Sequence, residues 1–409
     1  MINNNQRNNE TPFEYLKNRE GEPFAESIVR NWYKARAYVL NKLKDISIGP
    51  HSVKTLKVVV DIDDDKELML SVVRHLALAA HFANYEECDE LGMITCKNCT
   101  TIYIFSKIEN LEEELRKEEY LNNILKYCQY TKNGKIENDA TQNKKIIPID
   151  IDFHISNSIS DKDREGAIMM TPNDVMELLR TMPEHEIYSI DTRMAVLCTK
   201  IYCLGADINN LPYEDINDLS RYHHALNVFQ HSCLQNTIGP LITTEWLNDQ
   251  ITVKNGLSNI FCADRFLSIE AGINECSLAT KKDKSILWKE NGIKLAISEH
   301  SRWIVEKLIL GFRPLSKKEH NRYECLLGYQ REAYKKLLKG NIKQIIETFY
   351  DDYTDEIVID EKGTCYTDPA HINLCLFKEL RRIDPDNRKY DSFLMLAIPI
   401  ILEKIGDND

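Results

Sequence analysis

The stretch Leu56 to Ile62, Leu-Lys-Val-Val-Val-Asp-Ile, constrains this chain more than any other. Three successive valines in a seven-residue run suit a pleated strand covered on both faces, because β-branched side chains are stiff in a helix. An alternation follows from it: a helix from about Lys66 to Phe82, a strand at Thr100 to Ser106, and a charged helix from Asn110 to Tyr130. After a polar insert at Thr131 to Lys144 comes a further strand at Lys145 to Ile151. This order predicts a Rossmann-like, doubly wound α/β domain whose ligand crevice lies beyond the carboxyl ends of the strands.

The glycine-rich turn that would cradle a pyrophosphate is missing. After Val60 the chain reads Asp61-Ile62-Asp63-Asp64-Asp65. Carboxylates at a helix start suit the helix dipole and repel a dinucleotide phosphate. Two readings stay open for this run: capping of the helix, or a Mg²⁺ or Ca²⁺ site. As a metal site it would need a second acid such as Asp150 or Asp152 at the same sheet edge, and it would make the chain a metal-dependent nucleotide-processing enzyme.

The second constraining stretch is Glu299 to Arg313, Glu-His-Ser-Arg-Trp-Ile-Val-Glu-Lys-Leu-Ile-Leu-Gly-Phe-Arg. It reads as a helix ending at Gly311 with apolar residues on nearly every face, hence buried. Yet it carries His300, Arg302, Glu306 and Lys307, and a buried helix keeps ionisable groups only where something pairs with them. His300, Trp303 and Lys307 share one face at i, i+3 and i+7. That face suits an anionic, planar ligand; it suits equally a core helix whose charges reach outward.

The rest of the chain supplies boundaries. Residues 1–13 are Asn-rich with few apolar side chains, a composition that stays disordered, and a helix is expected over Phe24 to Leu43. Thr171-Pro172-Asn173-Asp174 opens another helix. Thr192 to Leu204 fits a strand or a short helix. Asp215 to Gln235 reads as a helix, with His224 and His231 on one face and no third metal ligand. A closing, mainly helical domain begins near Asn291, with helices at Lys317 to Leu338 and Ile342 to Tyr350. A small hairpin follows around Ile357 to Tyr366, then a turn at Asp384 to Asn387 and a last helix from Tyr390 to Ile405. The expected division is 1–55 as an arm and helix, 56–290 as the α/β domain with a helical extension, and 291–409 as the closing domain.

The chain has 409 residues and a formal net charge of −12. An acidic balance argues against long nucleic acid as a partner, since phosphate backbones select basic surfaces. The polar N-terminus has no apolar core of a secretory signal, and no apolar run approaches the roughly 18–20 residues of a membrane span. Twelve cysteines without a signal read as reduced cytoplasmic thiols. Cys96-Lys97-Asn98-Cys99 is a lone Cys-x-x-Cys. No second pair at zinc-finger spacing and no helix start stand behind it.

His300, Arg302-Trp303, Glu306-Lys307 and Gly311 to Leu315, followed by His371, Leu374, Phe377, Leu380, Tyr390-Asp391 and Pro399, resemble in order and spacing the ryanodine-receptor repeat domain in its bacterial form. The resemblance covers about a quarter of the chain. The long stretch Lys317 to Tyr366 departs from the family's short linker. A weaker resemblance, over Leu56 to Ile155 with Leu76 to Asn84 at its centre, is to the regulatory TrkA-N domain of potassium-channel regulators, without its glycine loop.

The first resemblance implies a helical module that binds a nucleotide-derived ligand, in channel-linked or anti-phage signalling. His300, Arg302, Trp303, Lys307, Arg313, His371 and Tyr390 are then the candidate ligand-binding residues, with arginine and lysine for phosphate and rings for stacking. The expected protein is a cytoplasmic, non-catalytic sensor with a small nucleotide-like ligand and a protein partner or second copy. An interaction scaffold without a small ligand is the other non-enzymatic reading.

Overall fold

The computed structural model describes residues 26–90, 93–137, 146–188, 194–195, 197–198, 253–338, 358–359, 365–366 and 370–406. The expectations for residues 1–13, for Asp215 to Gln235 with its two histidines, and for Ile342 to Tyr350 lie outside them. So does most of Thr192 to Leu204.

Helix α1 (Glu26–Leu43) comes first. Strand β1 (Lys57–Asp61) leads through the acidic run into α2 (Lys66–Ala79), and Asp65 caps that helix by accepting from the Leu68 N–H. A hairpin of β2 (Glu86–Glu90) and β3 (Met93–Lys97) precedes β4 (Thr100–Phe105). Helices α3 (Leu111–Lys117) and α4 (Glu119–Tyr127) replace the single helix expected over Asn110 to Tyr130. Leu111 and Leu115 are in phase with each other but six residues separate Leu115 from Leu121, out of step with a 3.6-residue period. The chain breaks at Glu118, extended at φ −75° and ψ 111°, and both halves bury their leucines.

The short strands β5 (Tyr130–Lys132) and β6 (Lys135–Glu137) form a hairpin, and β7 (Ile151–Ser156) follows. Strand β7 starts where the expected strand Lys145 to Ile151 was to end. Pro148 removes a ladder donor from the expected segment, whereas Ile151 to Ser156 alternates buried and half-buried residues as a sheet strand should. Helix α5 (Asp161–Arg164), β8 (Ile168–Met170), α6 (Pro172–Thr181) and α7 (Glu184–Ile187) complete this region. Helix α6 opens as expected, with a capping box between Thr171 and Asp174.

The six strands run in the order β6-β5-β7-β4-β1-β8, every neighbouring pair parallel except β5 with β6. Val58, Val60, Ile102, Ile104, Phe153 and Ile155 point to one face and are buried there with residues of α2, α3 and α4. On the opposite face Tyr103 donates to Asp163 of α5 at 3.2 Å, and its ring lies 4.5 Å from the His154 ring at a tilt of 53°.

A helical region follows: α8 (Val253–Ala263), α9 (Phe266–Thr280), α10 (Lys284–Glu290) and α11 (Gly292–Ile309). No element was expected over the residues of α8 and α9. Phe266, Ser268, Ile269, Gly272, Ile273 and Cys276 are all buried on α9, so polar and small residues line its inner face among the apolar ones. Gly272 is required there: a Cβ would sit 2.7 Å from the Ile48 carbonyl oxygen, where the loop after α1 crosses the helix. Helices α12 (Lys317–Cys325) and α13 (Gly328–Leu338) divide the expected Lys317 to Leu338 helix at Gly328, whose φ is +54°.

The expected hairpin is present as β9 (Val358–Ile359) and β10 (Cys365–Tyr366). Helix α14 (Phe377–Ile383) ends at Asp384, and α15 (Pro385–Gly406) starts at once. The turn expected at Asp384 to Asn387 is therefore mostly the first turn of α15, with proline at its favoured opening position.

The α/β part and the helical part share a core. Ile304, Val305, Leu308 and Ile309 of α11, with Phe312 and Leu374, belong to the same apolar cluster as the sheet. No helix among the described residues is long and apolar enough to cross a membrane.

Candidate functional site

Helix α11 carries most of the candidate residues, and its ionisable side chains are matched by the chain itself. Arg302 donates through Nε to Glu299 Oε1 at 2.9 Å and through Nη1 to Glu306 Oε2 at 2.7 Å. These partners lie three residues before it and four after, the spacing that meets on one helix face. Lys307 Nζ donates to Glu306 Oε1 at 2.6 Å, and Ser258 of α8 donates to Glu306 Oε2 at 2.6 Å. From the start of α9, Arg265 reaches Glu299 Oε2 at 2.7 Å, Ser298 Oγ at 2.6 Å and the His81 carbonyl at 2.9 Å.

Arg265, Glu299, Arg302 and Glu306 are each 1% exposed, so water does not share this ladder. Burial alone disfavours the charged form of each group. For Arg302 it is outweighed by Glu299 and Glu306, which hold its pKa above the ordinary arginine value. Burial likewise works against the Glu306 charge, and Lys307 and Arg302 overcome it and lower its pKa. Arg265, with Glu299 as its main counter-charge, ends below its ordinary value because desolvation wins.

A second polar joint lies beside the ladder. His81 Nδ1 lies 2.6 Å from Asp150 Oδ1, and His81 Nε2 lies 2.7 Å from the Ala77 carbonyl oxygen. Ser301 of α11 donates to the same Asp150 oxygen at 2.6 Å and accepts from the Asp150 N–H at 2.9 Å. These bonds tie α11 to the segment that enters β7.

The remaining candidates gather around Trp303. The His300 ring lies nearly parallel to it at 5.9 Å, the His371 ring meets it edge-on at 4.8 Å, and Lys307 Nζ lies 5.2 Å from its centroid. His300 Nε2 donates to the Cys375 carbonyl at 2.9 Å, and its Nδ1 lies 3.3 Å from Asp391 Oδ2. Burial works against the imidazolium, but Asp391 and the Cys375 side chain push the His300 pKa up to about 10. Burial also raises Asp391. Facing His300 from strand β2, the Glu87 carboxyl is pushed up to about 7 by burial, with His300 easing part of the shift.

The structure thus brings His300, Trp303, Lys307 and His371 together. Arg302 points instead into the ladder. Arg313 forms a two-pronged pair with Glu319 at 2.7 and 2.8 Å, and Tyr390 is a half-buried residue inside α15. Glu299, Glu306 and Glu319 were not among the candidates. For the first two the i, i+3 and i+4 spacing to Arg302 was a usable signal; Arg265 gave none, since its bonds to α11 and to His81 span the chain.

The acidic run after β1 does not converge with Asp150 and Asp152. Asp61 is level with Ser156 across the parallel strands, whereas Asp152 is level with Thr101 at the other end of β7. The four-residue offset is roughly 13 Å at the rise of a parallel strand. Both acids precede or begin their strand, so parallel order carries them to the opposite edge. Within the run, Asp63 accepts from the Ser106 hydroxyl at 2.5 Å and the Lys107 N–H at 3.0 Å, Asp61 accepts from the Asp63 N–H, and Asp65 caps α2. Among the described residues no cluster of three or more histidine, cysteine or acidic side chains suits a metal ion.

Beyond the carboxyl ends of β5 and β7, where an α/β crevice is expected, lies a recess of about 60 Å³ bordered by Glu109, Glu112, Glu113, Lys132 and Asn157. Nucleotide pockets run to roughly 300–1,000 Å³. Lys132 is already bonded to Glu112 at 2.6 Å, so the recess offers acid and little room. Comparison of the chain with protein-family models, with curated proteins and with solved structures finds no match.

Proposed function

We propose that this chain is a regulatory protein that works through contacts with a protein partner or a second copy of itself, with its helical part as a built-in scaffold. One observation carries the reading: the cations Arg302, Lys307 and Arg313, which were to hold phosphate, each pair with a carboxylate of the same chain. A phosphate arriving there would have to displace a charge-assisted bond already made in a poorly hydrated site, which removes most of its gain. In this reading the closing module keeps its likeness to the ryanodine-receptor repeat, and the sheet is a Rossmann-like, doubly wound frame that takes no dinucleotide. Exposed Leu267 and Leu278, eleven residues apart and so on one face of α9, supply apolar surface for a partner.

A second reading, the nucleotide-derived ligand, draws support from the ring cluster of Trp303, His300 and His371, a setting that suits a planar base. The two separate in one experiment. A panel of nucleotides, including ADP-ribose and cyclic dinucleotides, is added to the full chain while thermal unfolding and tryptophan fluorescence are followed. The scaffold reading expects no rise in Tm at any concentration up to millimolar, and light scattering that reports an oligomer or a stable complex. A Tm rise that Trp303→Ala abolishes overturns it in favour of the ligand, because binding to the native state alone stabilises by mass action.

A further inference from the structure

Cys96 and Cys99 stand apart from the other cysteines in the described residues. Cys128, Cys198, Cys262, Cys276 and Cys375 are buried and Cys325 is a single exposed thiol, while Cys96 and Cys99 are a part-exposed pair at the turn between β3 and β4. The turn is fixed: Asn98 adopts φ +59°, and its side-chain amide donates to the Asn84 carbonyl at 3.0 Å. This sets the two cysteines three residues apart in sequence across a tight bend, where Cys99 Sγ lies 4.0 Å from the Ile149 carbonyl oxygen. From the core side, the Tyr85 hydroxyl lies 3.2 Å from Cys96 Sγ, on a phenol ring only 1% exposed.

We propose that Cys96 and Cys99 form a reversible dithiol–disulfide site that exchanges with a low-molecular-weight disulfide, Cys96 attacking and Cys99 resolving. The assignment of roles follows from the hydrogen bonds. The Tyr85 hydroxyl, 3.2 Å from Cys96 Sγ, favours the Cys96 thiolate, and neighbouring Cys99 with Tyr85 lowers the Cys96 pKa against burial, while the Cys99 thiol faces the Ile149 carbonyl and its pKa is raised by Cys96 and by burial. The thiolate is the nucleophile. In the first step Cys96 Sγ bonds to one sulfur of the incoming disulfide, and the other sulfur leaves as thiolate. In the second, Cys99 gives up its proton, its sulfur attacks Cys96 Sγ, and the remaining small thiolate leaves. The two cysteines lose two electrons and two protons; the small disulfide gains both as two thiols.

The site has a route to the rest of the molecule. Cys96 is directly opposite Glu87 in the β2/β3 pairing, and Glu87 accepts from the Phe377 backbone and faces His300. Oxidation replaces the thiol that the buried Tyr85 hydroxyl contacts, one cross-strand pair from the contact between hairpin and helical region. This inference is independent of the proposed function above.

The test uses the full chain under native conditions with oxidised glutathione, acid quenching, alkylation of remaining thiols and peptide mapping by mass spectrometry. The expected product is a disulfide linking Cys96 to Cys99, and in Cys99→Ser a glutathione adduct retained on Cys96. On the untreated protein, Cys96 should be alkylated about tenfold faster at neutral pH than exposed Cys325. If Cys96 reacts no faster than Cys325 in the wild-type chain, or if glutathione produces no Cys96–Cys99 link there, the proposal is overturned. Both readouts use wild-type protein, so misfolding of a variant affects neither.

Discussion

The carboxylates that follow β1 and the carboxylates of α11 invite one comparison. Only the first group read as ligand-holding chemistry in the sequence; both are turned to internal use, but in different media. Asp61, Asp63 and Asp65 sit at the sheet edge and accept mainly from backbone N–H groups: a turn, a neighbouring loop and a helix start. Glu299 and Glu306 lie within the core and accept almost entirely from charged side chains. An edge carboxylate that loses its partner is taken up by water. A buried one has no such alternative, so its partner's removal is felt in full.

The largest expected effect follows from that difference. Glu299→Gln leaves Arg265 and Arg302 buried with half their counter-charge gone, and denaturant unfolding should show a loss of about 3–5 kcal/mol. Replacing Glu299 and Arg302 together by apolar residues of similar volume should recover part of it, since an intact pair is weak evidence of net stabilisation. If Glu299→Gln costs no more than an edge substitution, the ladder is not sealed from water and the comparison fails.

Next in size is a pH effect. His300, raised to about 10, binds its proton more tightly in the folded chain than at the ordinary 6.5, so its stabilisation is full below pH 6.5 and is lost as pH rises towards 10. Glu87, raised to about 7 by burial from 4.5, is more readily protonated when folded, so ionising it between those values also lowers stability. Both limbs slope the same way. Thermal melts from pH 4.5 to 10 should show a declining Tm, with His300→Asn flattening the upper part and Glu87→Gln the lower. A Tm that climbs with pH over this window contradicts the assignment.

How much of this could be read in advance depended on whether the controlling contact was local. The valine run, the capped start of α6, the Gly311 stop of α11 and the face shared by His300, Trp303 and Lys307 were all legible, since each is fixed within one or two turns. Helices α8 and α9 were not, because a helix buried among other helices needs no clean polar stripe. The destination of Arg302 was half legible: its acids are on its own helix, while Arg265, which completes the ladder, arrives from a segment 34 residues before Glu299. The position of Asp150 and Asp152 was misplaced by the late start of β7, which put them at the wrong edge of the sheet.

The smallest expected effect tests the edge half of the comparison. Asp65 is exposed, and its side chain has one structural task, accepting from Leu68 N at 3.1 Å at the start of α2. Asp65→Ala should therefore cost about 1 kcal/mol, the ordinary value of a lost cap, and Asp65→Asn or Asp65→Ser should restore most of it because the acceptor returns without the charge. Asp64, next to it and exposed, should change stability by no more than about 0.5 kcal/mol when replaced by Ala. Adding Mg²⁺ should move neither variant relative to the wild-type chain. If the metal stabilises the wild type and Asp65→Asn removes that gain, charge rather than hydrogen-bond acceptance is what the position supplies, and the acidic run is a binding site after all.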